Sequence, residues 1–353
     1  MSFFKLRHEK ANPPKPVTQS FEGRTILVTG ATSGIGLEAA KKLAVLHADK
    51  VIITARNEQK AQAARKEIET FVRAQSSIQA KDLSAQIVTR TLEMDSFAAV
   101  KTFVQELQKD FPRLDGAILN AGAIYTEWNQ SEDGWESTLQ VNTMSTFLLG
   151  VLLVPLLLAG ADSSKGGYKP HLTFVSSALA FMVDANKEKA WAKDDNPLEW
   201  VNAQKNLPPG QMSAQTKYSR SKMVLEYAIR QLAASPALRD ADGHPRVIID
   251  STCPGMTKSD LGRQFDSFLF RIVKWIMFSL LARETEQGAN ILVSALIQGE
   301  EVHGQMWRDD KINQPAGLYA TAEGKTMGVK MWKDIRQIIL KADPSTKPFL
   351  PEN

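Results

Sequence analysis

Short apolar runs recur along the chain at intervals that suit a sheet of buried strands. Several of them, such as TILV at 25–28 and VIIT at 51–54, carry consecutive apolar residues instead of alternating ones. Strands covered on both faces have this composition because neither face meets water. The pattern predicts strands at 24–29, 50–55, 86–93, 114–120, 171–176, 246–252 and 317–320.

Longer amphipathic segments separate these runs. Their apolar residues recur every three or four positions, which is the period of a helix with one buried face. Strand–helix alternation favours right-handed crossovers, so we predict a doubly wound α/β fold: one parallel sheet of about seven strands with helices on both faces, in a single domain over 22–342. The helices are expected at 35–46, 57–74, 96–110, 134–158 and 214–234.

Three regions depart from the alternation. Residues 1–21 include prolines at 13, 14 and 16 and predict an extended N-terminal arm. The polar stretch 183–211 contains Pro and Trp and reads as a partly helical insertion within the domain. The segment 321–342 has one apolar face and predicts a helix packed over the sheet edge, and 343–353 form a tail.

Two apolar stretches raise the question of a membrane. The run 147–160 covers about 14 residues and contains a proline, whereas a spanning helix needs about 20, so it predicts a buried helix. The run 265–282 is interrupted by Asp266, Arg271 and Lys274, and its role stays open at this stage.

Composition and charge exclude several classes of protein. Hydrophobic residues make up 43% and charged residues 23% of the 353, as in an ordinary soluble globular protein. A net charge of +4 without Arg/Lys-rich blocks argues against nucleic acid. The single Cys253 fits a reducing compartment, and the five scattered histidines lack metal-ligand spacing, so no metal is expected. Without a signal-peptide pattern, the expected location is the cytoplasm.

The segment TGATSGIG at 29–36 follows the first predicted strand and opens the first predicted helix. Gly30 permits a tight turn off the strand, while Gly34 and Gly36 let backbone amides approach a pyrophosphate. The helix N-terminus also attracts that negative charge. A strand–helix turn without a ligand is the alternative, and the loop alone does not decide between the two.

Further motifs decide it, and together they resemble the short-chain dehydrogenase/reductase family. The TGxxxGxG spacing is typical of that family, and the other motifs follow in its order over about residues 22–300. The resemblance implies a Rossmann-like fold with a nicotinamide dinucleotide in the glycine loop. These motifs are NAGA at 120–123, Asn142, Ser177, YSRSK at 218–222 and Pro254-Gly255.

The residue at the end of the second predicted strand indicates which dinucleotide is bound. An acidic residue about 20 positions after the glycines binds the ribose 2′-hydroxyl of NAD, but Arg56 stands there, twenty residues after Gly36. A guanidinium can bind a 2′-phosphate with two hydrogen bonds, and Ser33 could add a hydroxyl. We therefore predict NADP(H); the alternative is that Arg56 only solvates the end of the strand.

The resemblance implies further cofactor contacts. Asp95 would bind the adenine amino group, Asn120 to Gly122 would flank the adenosine ribose, and Thr257 and Ser259 would contact the nicotinamide carboxamide and the phosphates. The complete predicted cofactor set is Thr29, Gly30, Ser33, Gly34, Ile35, Gly36, Arg56, Asp95, Asn120, Ala121, Gly122, Tyr218, Lys222, Pro254, Gly255, Thr257 and Ser259.

The predicted catalytic residues are Asn142, Ser177, Tyr218 and Lys222. Tyr218 and Lys222 are four apart and share a helix face, so the ammonium should lower the pKa of the phenol and make it a usable acid/base. Ser177 would polarise the substrate oxygen, with Ser176 as its competitor. The resemblance implies that Asn142 fixes a water that links Lys222 to solvent.

The substrate is the least determined feature. The stretch 259–282 stands where the family carries a substrate lid, and a membrane contact through 265–282 and an oligomer interface are the alternatives. The retinol-dehydrogenase-like branch and its fungal biosynthetic reductases share this layout, which implies a bulky lipophilic carbonyl or alcohol, such as a polyketide, terpenoid, steroid or retinoid. A non-catalytic dinucleotide-binding module and an epimerase or dehydratase on the same scaffold are the other functions.

Overall fold

The predicted apolar strands form one sheet in the computed structural model, which describes residues 3–75, 83–164, 167–208, 212–258 and 278–352. The strand order is β3-β2-β1-β4-β5-β6-β7-β8, and all neighbouring pairs are parallel except β7 with β8. The strands are β1 Thr25–Val28, β2 Lys50–Ala55, β3 Ile87–Thr91, β4 Gly116–Leu119, β5 His171–Val175, β6 Ile248–Thr252, β7 Met306–Arg308 and β8 Lys311–Asn313.

Helices cover both faces, which confirms the doubly wound prediction. One apolar core joins the sheet to α5, α6, α9 and α12, and a second joins it to α2, α3 and α10. The helices are α1 Phe3–Ala11, α2 Gly34–Val45, α3 Glu58–Ala74, α4 Leu83–Gln86, α5 Phe97–Asp110, α6 Ser137–Ser163, α7 Lys189–Lys193, α8 Pro197–Asn202, α9 Met212–Ala233, α10 Thr285–Ala295, α11 Gly317–Ala320 and α12 Ala322–Ala342.

Helix α6 is the core helix that the run 147–160 predicted. By length and mean hydropathy, 2.2 over its most apolar window, it is the helix among the described residues that could cross a membrane, but most of it lies inside the protein. Phe147, Leu149 and Leu153 are fully buried against the sheet and α5. Its hydropathy therefore reflects burial from several sides.

The strand predicted at 317–320 is wrong, because Gly317–Ala320 forms the short helix α11. Gly317 has a φ of +59°, and a Cβ there would lie 2.6 Å from the carbonyl oxygen of Val183, so this backbone is folded closely against the insertion. The remaining strands are β7 and β8, joined by Asp309 and Asp310 at φ of +52° and +54°. Two consecutive residues with positive φ are typical of a tight hairpin. The sequence did not predict this turn, because Asp occupies both positions and the usual Asn-Gly or Asp-Gly pair is missing.

The N-terminal arm also differs from its prediction. Residues Phe3–Ala11 form helix α1, and chain without regular structure begins only after it, where the prolines stand. The helix has no strong apolar face of its own, and tertiary contacts with the far end of the chain hold it. The insertion contains the two short helices α7 and α8, as its partly helical reading expected.

Candidate active site

The glycine loop leaves β1 in a conformation that only glycine adopts easily. Gly30 and Gly34 have φ of +64° and +58°, in the left-handed region. Gly36 is required for space instead, because a Cβ there would lie 2.4 Å from Nδ2 of Asn120 and 2.7 Å from the carbonyl oxygen of Gly30. The loop is therefore folded tightly onto the chain that follows β4.

Side chains from both neighbouring strands fix the loop. Nδ2 of Asn120 donates to the carbonyl oxygens of Thr29 at 3.0 Å and Gly30 at 3.2 Å, and Oγ1 of Thr29 accepts from the amide of Ala121 at 3.0 Å. On the other side, the amide of Gly30 donates to Oγ1 of Thr54 at 3.1 Å. Asn120 thus shapes the loop, and Thr54 is a positioning residue that sequence reasoning missed.

The loop forms one wall of a cleft of about 280 Å³ at the carboxyl ends of the central strands. Ser33 is the N-cap residue of α2, yet its hydroxyl makes no capping hydrogen bond and lines the cleft with Gly34 and Ile35. The first-turn amides of α2 and its dipole favour an anion at this position. Ligands bind at this edge in doubly wound sheets, where the strand order reverses between β1 and β4.

Two basic side chains line the end of the cleft next to β2. Arg56, immediately after β2, and Lys60, in the first turn of α3, both line it and both are exposed. Among the described residues, Arg56 forms no hydrogen bond or salt bridge. Glu93, after β3, adds one carboxylate to the same wall. Lys60 and Glu93 were not predicted, because neither follows a motif glycine at a recognisable spacing.

Asp95 lies beside this end with one buried oxygen, Oδ1, that has no hydrogen-bond partner among the described residues. Burial raises the pKa of its carboxyl, and the charge of Glu93 raises it further, whereas Arg56 lowers it. An unpartnered buried acceptor suits an amino group, as the predicted adenine contact requires. Asn120, Ala121 and Gly122 line the adjacent wall of the cleft.

Asn142 lies in a π-helical turn, Gln140–Ser145, within α6. Such turns interrupt regular helices and often occur at functional sites. The Asn142 side chain is fully buried: Oδ1 accepts from the amide of Ala123 at 2.8 Å, and Nδ2 donates to the carbonyl oxygen of Ala123 at 2.8 Å and to Oγ of Ser221 at 3.3 Å. It therefore joins the NAGA segment to the helix that carries Tyr218.

Tyr218 and Lys222 share one face of α9, as their spacing predicted, and both line the cleft. The Nζ atom of Lys222 lies 5.9 Å from the centroid of the Tyr218 ring. Burial raises the pKa of the Tyr218 phenol above its ordinary value, and a hydrogen bond with the Ser177 hydroxyl lowers it. The expected lowering by Lys222 is not found, because burial dominates at this phenol.

Lys222 directs its amine to the strand beside it. Nζ donates to the carbonyl oxygen of Val175, the last residue of β5, at 2.8 Å. Burial lowers the pKa of Lys222 from 10.5 to about 8, while the charges of Glu226 and Cys253 raise it. An amine with a pKa near neutral pH can both hold and release a proton in the working range.

The two serines after β5 have different surroundings. Ser177 is the N-cap of the 3₁₀ segment Ala178–Met182, where its Oγ accepts from the amide of Leu179 at 3.2 Å, and it faces the phenol of Tyr218. Ser176 is buried and lines the cleft, and its hydroxyl faces Glu226. The contact with Tyr218 favours Ser177 over Ser176 as the residue that polarises the substrate.

The segment after β6 supplies a third wall. Pro254 lines the cleft, and Gly255 has a φ of +76°. Thr257 is buried, and its hydroxyl donates to the carbonyl oxygens of Pro254 at 3.3 Å and Gly255 at 3.4 Å, so in this structure it braces the turn from behind. Ser259 and the stretch 265–277 lie outside the described residues, and the expectations for them remain predictions.

Comparison with known proteins agrees with this geometry. The family described as short chain dehydrogenase matches residues 24–186. The short-chain dehydrogenase/reductase ffsI of Aspergillus flavipes is 35% identical over 350 residues, covering 97% of this chain and 93% of that protein. The short-chain dehydrogenase/reductase phmF of Phaeosphaeria nodorum is 32% identical over 347 residues, covering 98% of this chain and 95% of that protein.

Solved structures share the fold at lower identity. The Pseudomonas aeruginosa RhlG/NADP active-site complex has a TM-score of 0.57 at 19% identity, covering 82% of this chain and 95% of that chain. A short chain dehydrogenase from Shigella flexneri complexed with NADP has a TM-score of 0.53 at 22% identity, covering 84% and 100%. With the ordered motifs and the full-length fungal relatives, they lead to one conclusion: the chain belongs to the short-chain dehydrogenase/reductase family of oxidoreductases.

Proposed function

We propose that the protein is an NADP(H)-dependent oxidoreductase that interconverts a ketone or aldehyde and an alcohol on a bulky lipophilic molecule. One observation carries the proposal. Tyr218 and Lys222 line one end of a cleft whose other end holds the glycine loop and exposed positive charge. Ser177 faces the phenol of Tyr218, and Asn142 is buried against the helix that carries Tyr218 and Lys222. Such an arrangement would hold a dinucleotide along the cleft, with a carbonyl group beside the phenol.

The choice of NADP(H) rests on Arg56, supported by Lys60. Two exposed cations at the end of β2 complement a 2′-phosphate, and Ser33 has a hydroxyl that is not used in capping α2. Glu93 and Asp95 oppose this charge in part, but burial raises the pKa of the Asp95 carboxyl, and Arg56 and Lys60 are exposed cations that line the cleft. Two relatives in fold were solved with NADP, which favours the same choice here.

The chemistry needs a proton donor as well as a reductant. When bound, the nicotinamide supplies a hydride to the carbonyl carbon. Oη of Tyr218 would then give its proton to the carbonyl oxygen, because an alkoxide is a far stronger base than a phenolate even when burial raises the pKa of the phenol. Oγ of Ser177 would donate a hydrogen bond to the same oxygen. Lys222 would return the proton, with Asn142 holding the path to solvent.

The lipophilic substrate is proposed from the lining of the cleft and from the relatives. Ile124, Tyr125 and Val141 add apolar surface to the lining of the cleft. The full-length relatives come from fungi, whose biosynthetic reductases the sequence resembles. Polyketide, terpenoid, steroid and retinoid carbonyls are the classes to test.

A titration of the purified protein with NADPH and with NADH, followed by fluorescence, tests the proposal. We expect NADPH to bind at least ten times more tightly, and a panel of lipophilic ketones to include one that oxidises it. Binding of neither cofactor would contradict the proposal. NADPH binding without turnover on any lipophilic carbonyl or alcohol would favour the non-catalytic module, and an epimerised or dehydrated product would favour the other scaffold chemistries.

A further inference from the structure

The N-terminal helix α1 is fastened to the far end of the chain through a buried arginine. Nε and Nη2 of Arg283 donate to the carbonyl oxygen of Glu9 at 2.9 Å and 2.8 Å, and Nη2 also donates to that of Asn12 at 3.3 Å. These carbonyls belong to the C-terminal end of α1, which carries the negative end of the helix dipole. The side chain of Arg283 is 1% exposed, so this contact is inside the protein.

Three more charged side chains complete the contact. Nη2 of Arg308 donates to both carboxylate oxygens of Glu9 at 2.8 Å. Asp309 pairs with both arginines, with Nη1 of Arg283 at 2.6 Å and with Nε of Arg308 at 3.1 Å. Two cations and two anions thus balance each other away from water. Removing one member of such a buried cluster leaves an uncompensated charge and is strongly unfavourable.

Arg283 also holds the turn that follows β6. Its amide donates to the carbonyl oxygen of Met256 at 2.8 Å, and its own carbonyl oxygen accepts from the amide of Lys258 at 2.9 Å. Its guanidinium lies against Gly255, where a Cβ would be 3.1 Å from Nη1. Pro254, the preceding residue, lines the cleft. One residue therefore touches α1 on one side and the wall of the cleft on the other.

We propose that Arg283 is a positioning residue for the segment 254–258 and that α1, through the carbonyl oxygens of Glu9 and Asn12, holds the guanidinium of Arg283 in place. This inference rests on the proposed function, because it assigns the effect to one end of the bound dinucleotide. The segment 254–258 lies on the Tyr218 side of the cleft. The glycine loop and Arg56 lie at the other end, where Thr54 and Asn120 brace the loop without α1.

The experiment compares two probes in each variant. By the proposed function, NADPH would span both ends of the cleft, whereas 2′,5′-ADP would reach only the end with Arg56. Arg283→Lys keeps the charge but cannot make the paired hydrogen bonds of the guanidinium to α1. We expect Arg283→Lys and deletion of residues 1–12 to raise the Kd for NADPH by at least about five-fold, as coupling between sites commonly does. The Kd for 2′,5′-ADP should stay within about two-fold, because this end keeps its own supports.

A matched control removes a different contact of the same arm. Asp310 accepts from the amide of Lys15 at 3.1 Å, and glycine removes this acceptor while it adopts the left-handed backbone without strain. Asp310→Gly should therefore leave both affinities unchanged.

Three results would overturn the inference: equal weakening of both probes by Arg283→Lys, no weakening of NADPH binding, or the same selective loss in Asp310→Gly. If the deletion variant is unfolded by circular dichroism, Arg283→Lys decides alone. Failure of the unaltered protein to bind either probe would instead contradict the proposed function.

Discussion

Tyr218 is the residue on which the proposed chemistry depends most directly. Its phenol faces Ser177 and lines the cleft beside Lys222, and no other phenol shares these contacts among the described residues. Tyr218→Phe keeps the ring and removes the proton, so we expect turnover of a ketone to fall by about 10²–10⁴-fold, as loss of a general acid typically causes.

The Kd for NADPH in the same variant should stay within about two-fold, since the deleted hydroxyl is one of many contacts along the cleft. Stopped-flow NADPH oxidation and fluorescence titration measure the two quantities separately. Retained turnover would show that Tyr218 is not the proton donor. Tyr227→Phe serves as the control, because the hydroxyl of Tyr227, on the same helix, donates to the carbonyl oxygen of Gly324 and does not line the cleft.

Arg56 sets the expected preference between the two dinucleotides. Arg56→Asp replaces the cation by the acid that binds a ribose 2′-hydroxyl in NAD enzymes. We expect the Kd for NADPH to rise by about 10–100-fold, which corresponds to a lost charge-assisted contact of about 1.5–3 kcal/mol. The Kd for NADH should change little. Equal losses for both cofactors, measured by titration, would exclude Arg56 as the phosphate partner.

The lowered pKa of Lys222 should make the free energy of unfolding of the cofactor-free protein depend on pH. Its pKa is about 8 in the folded chain, against an ordinary value of 10.5, because burial disfavours the charged amine. Between these values the unfolded chain binds a proton that the folded chain does not, so this residue makes the free energy of unfolding rise with pH. Below pH 8 both states bind the proton and the contribution is constant.

Lys222→Met removes that titration. The difference in unfolding free energy between the unaltered protein and Lys222→Met should therefore shift in favour of the unaltered protein from pH 8 to pH 10.5. Urea unfolding at several pH values measures it. A difference that stays flat over this window would show that the pKa of Lys222 is not lowered in the fold.

At the scale of elements, the sequence predicted the long, periodic parts and missed those that depend on distant contacts. The strands β1 to β6 and helices α2, α3, α5, α6 and α9 follow local patterns, and each lies within a few residues of its prediction. Helix α1 could not be found in this way. Its ordering depends on Arg283 and Arg308, which are 274 and 299 residues from Glu9 in the chain.

The insertion at 183–211 also depends on contacts with a distant part of the chain, which are made by Arg220. Arg220 on α9 donates to Glu188 at 2.9–3.1 Å and to the carbonyl oxygen of Asn206 at 2.9 Å. Its guanidinium lies 4.8 Å from the ring centroid of Trp200 and 5.7 Å from that of Trp191. Both tryptophans and Glu188 belong to the insertion, so one arginine holds it against the helix that carries Tyr218.

Arg220→Gln should lower the free energy of unfolding by about 3–5 kcal/mol, because Glu188 keeps a largely buried charge without its partner. Adding Glu188→Gln should cost less than the two single changes together, with a coupling of about 0.5–3 kcal/mol. Urea unfolding of the four proteins measures this, and Arg239→Gln, at an exposed arginine, is the control. Additive effects would mean that the ion pair does not fasten the insertion.

At the scale of the whole molecule, the candidate site is assembled from residues between 29 and 257. Short motifs identified most of these residues, because a glycine loop or a Tyr–Lys pair can be recognised from a few consecutive positions. Thr54, Lys60 and Glu93 carry no such motif, and only the meeting of β1, β2 and β3 at one sheet edge brings them to the cleft. Arg283 lies outside this range of the sequence, and it contacts Gly255 in the wall of the cleft without lining the cleft itself.

A ligand that spans such a site should stabilise the whole chain. At a concentration 100 times its Kd, NADPH should add about 2.7 kcal/mol to the free energy of unfolding. With about 2.1 cal/mol/K of unfolding entropy per residue, this corresponds to a rise in Tm of about 3–4 °C for a chain of this length. Thermal unfolding with NADPH and with NADH at equal concentration measures it, and the rise should be smaller with NADH.

Gly36→Ala provides the matched test, because the added methyl group would meet Nδ2 of Asn120 and the carbonyl oxygen of Gly30. The loop would have to move away from β4, so the variant should unfold at a lower temperature and lose the NADPH-dependent rise. A full rise in Gly36→Ala would show that the cofactor does not depend on the loop. A rise that is equal for both cofactors would keep the dinucleotide site and remove the role of Arg56 in choosing between them.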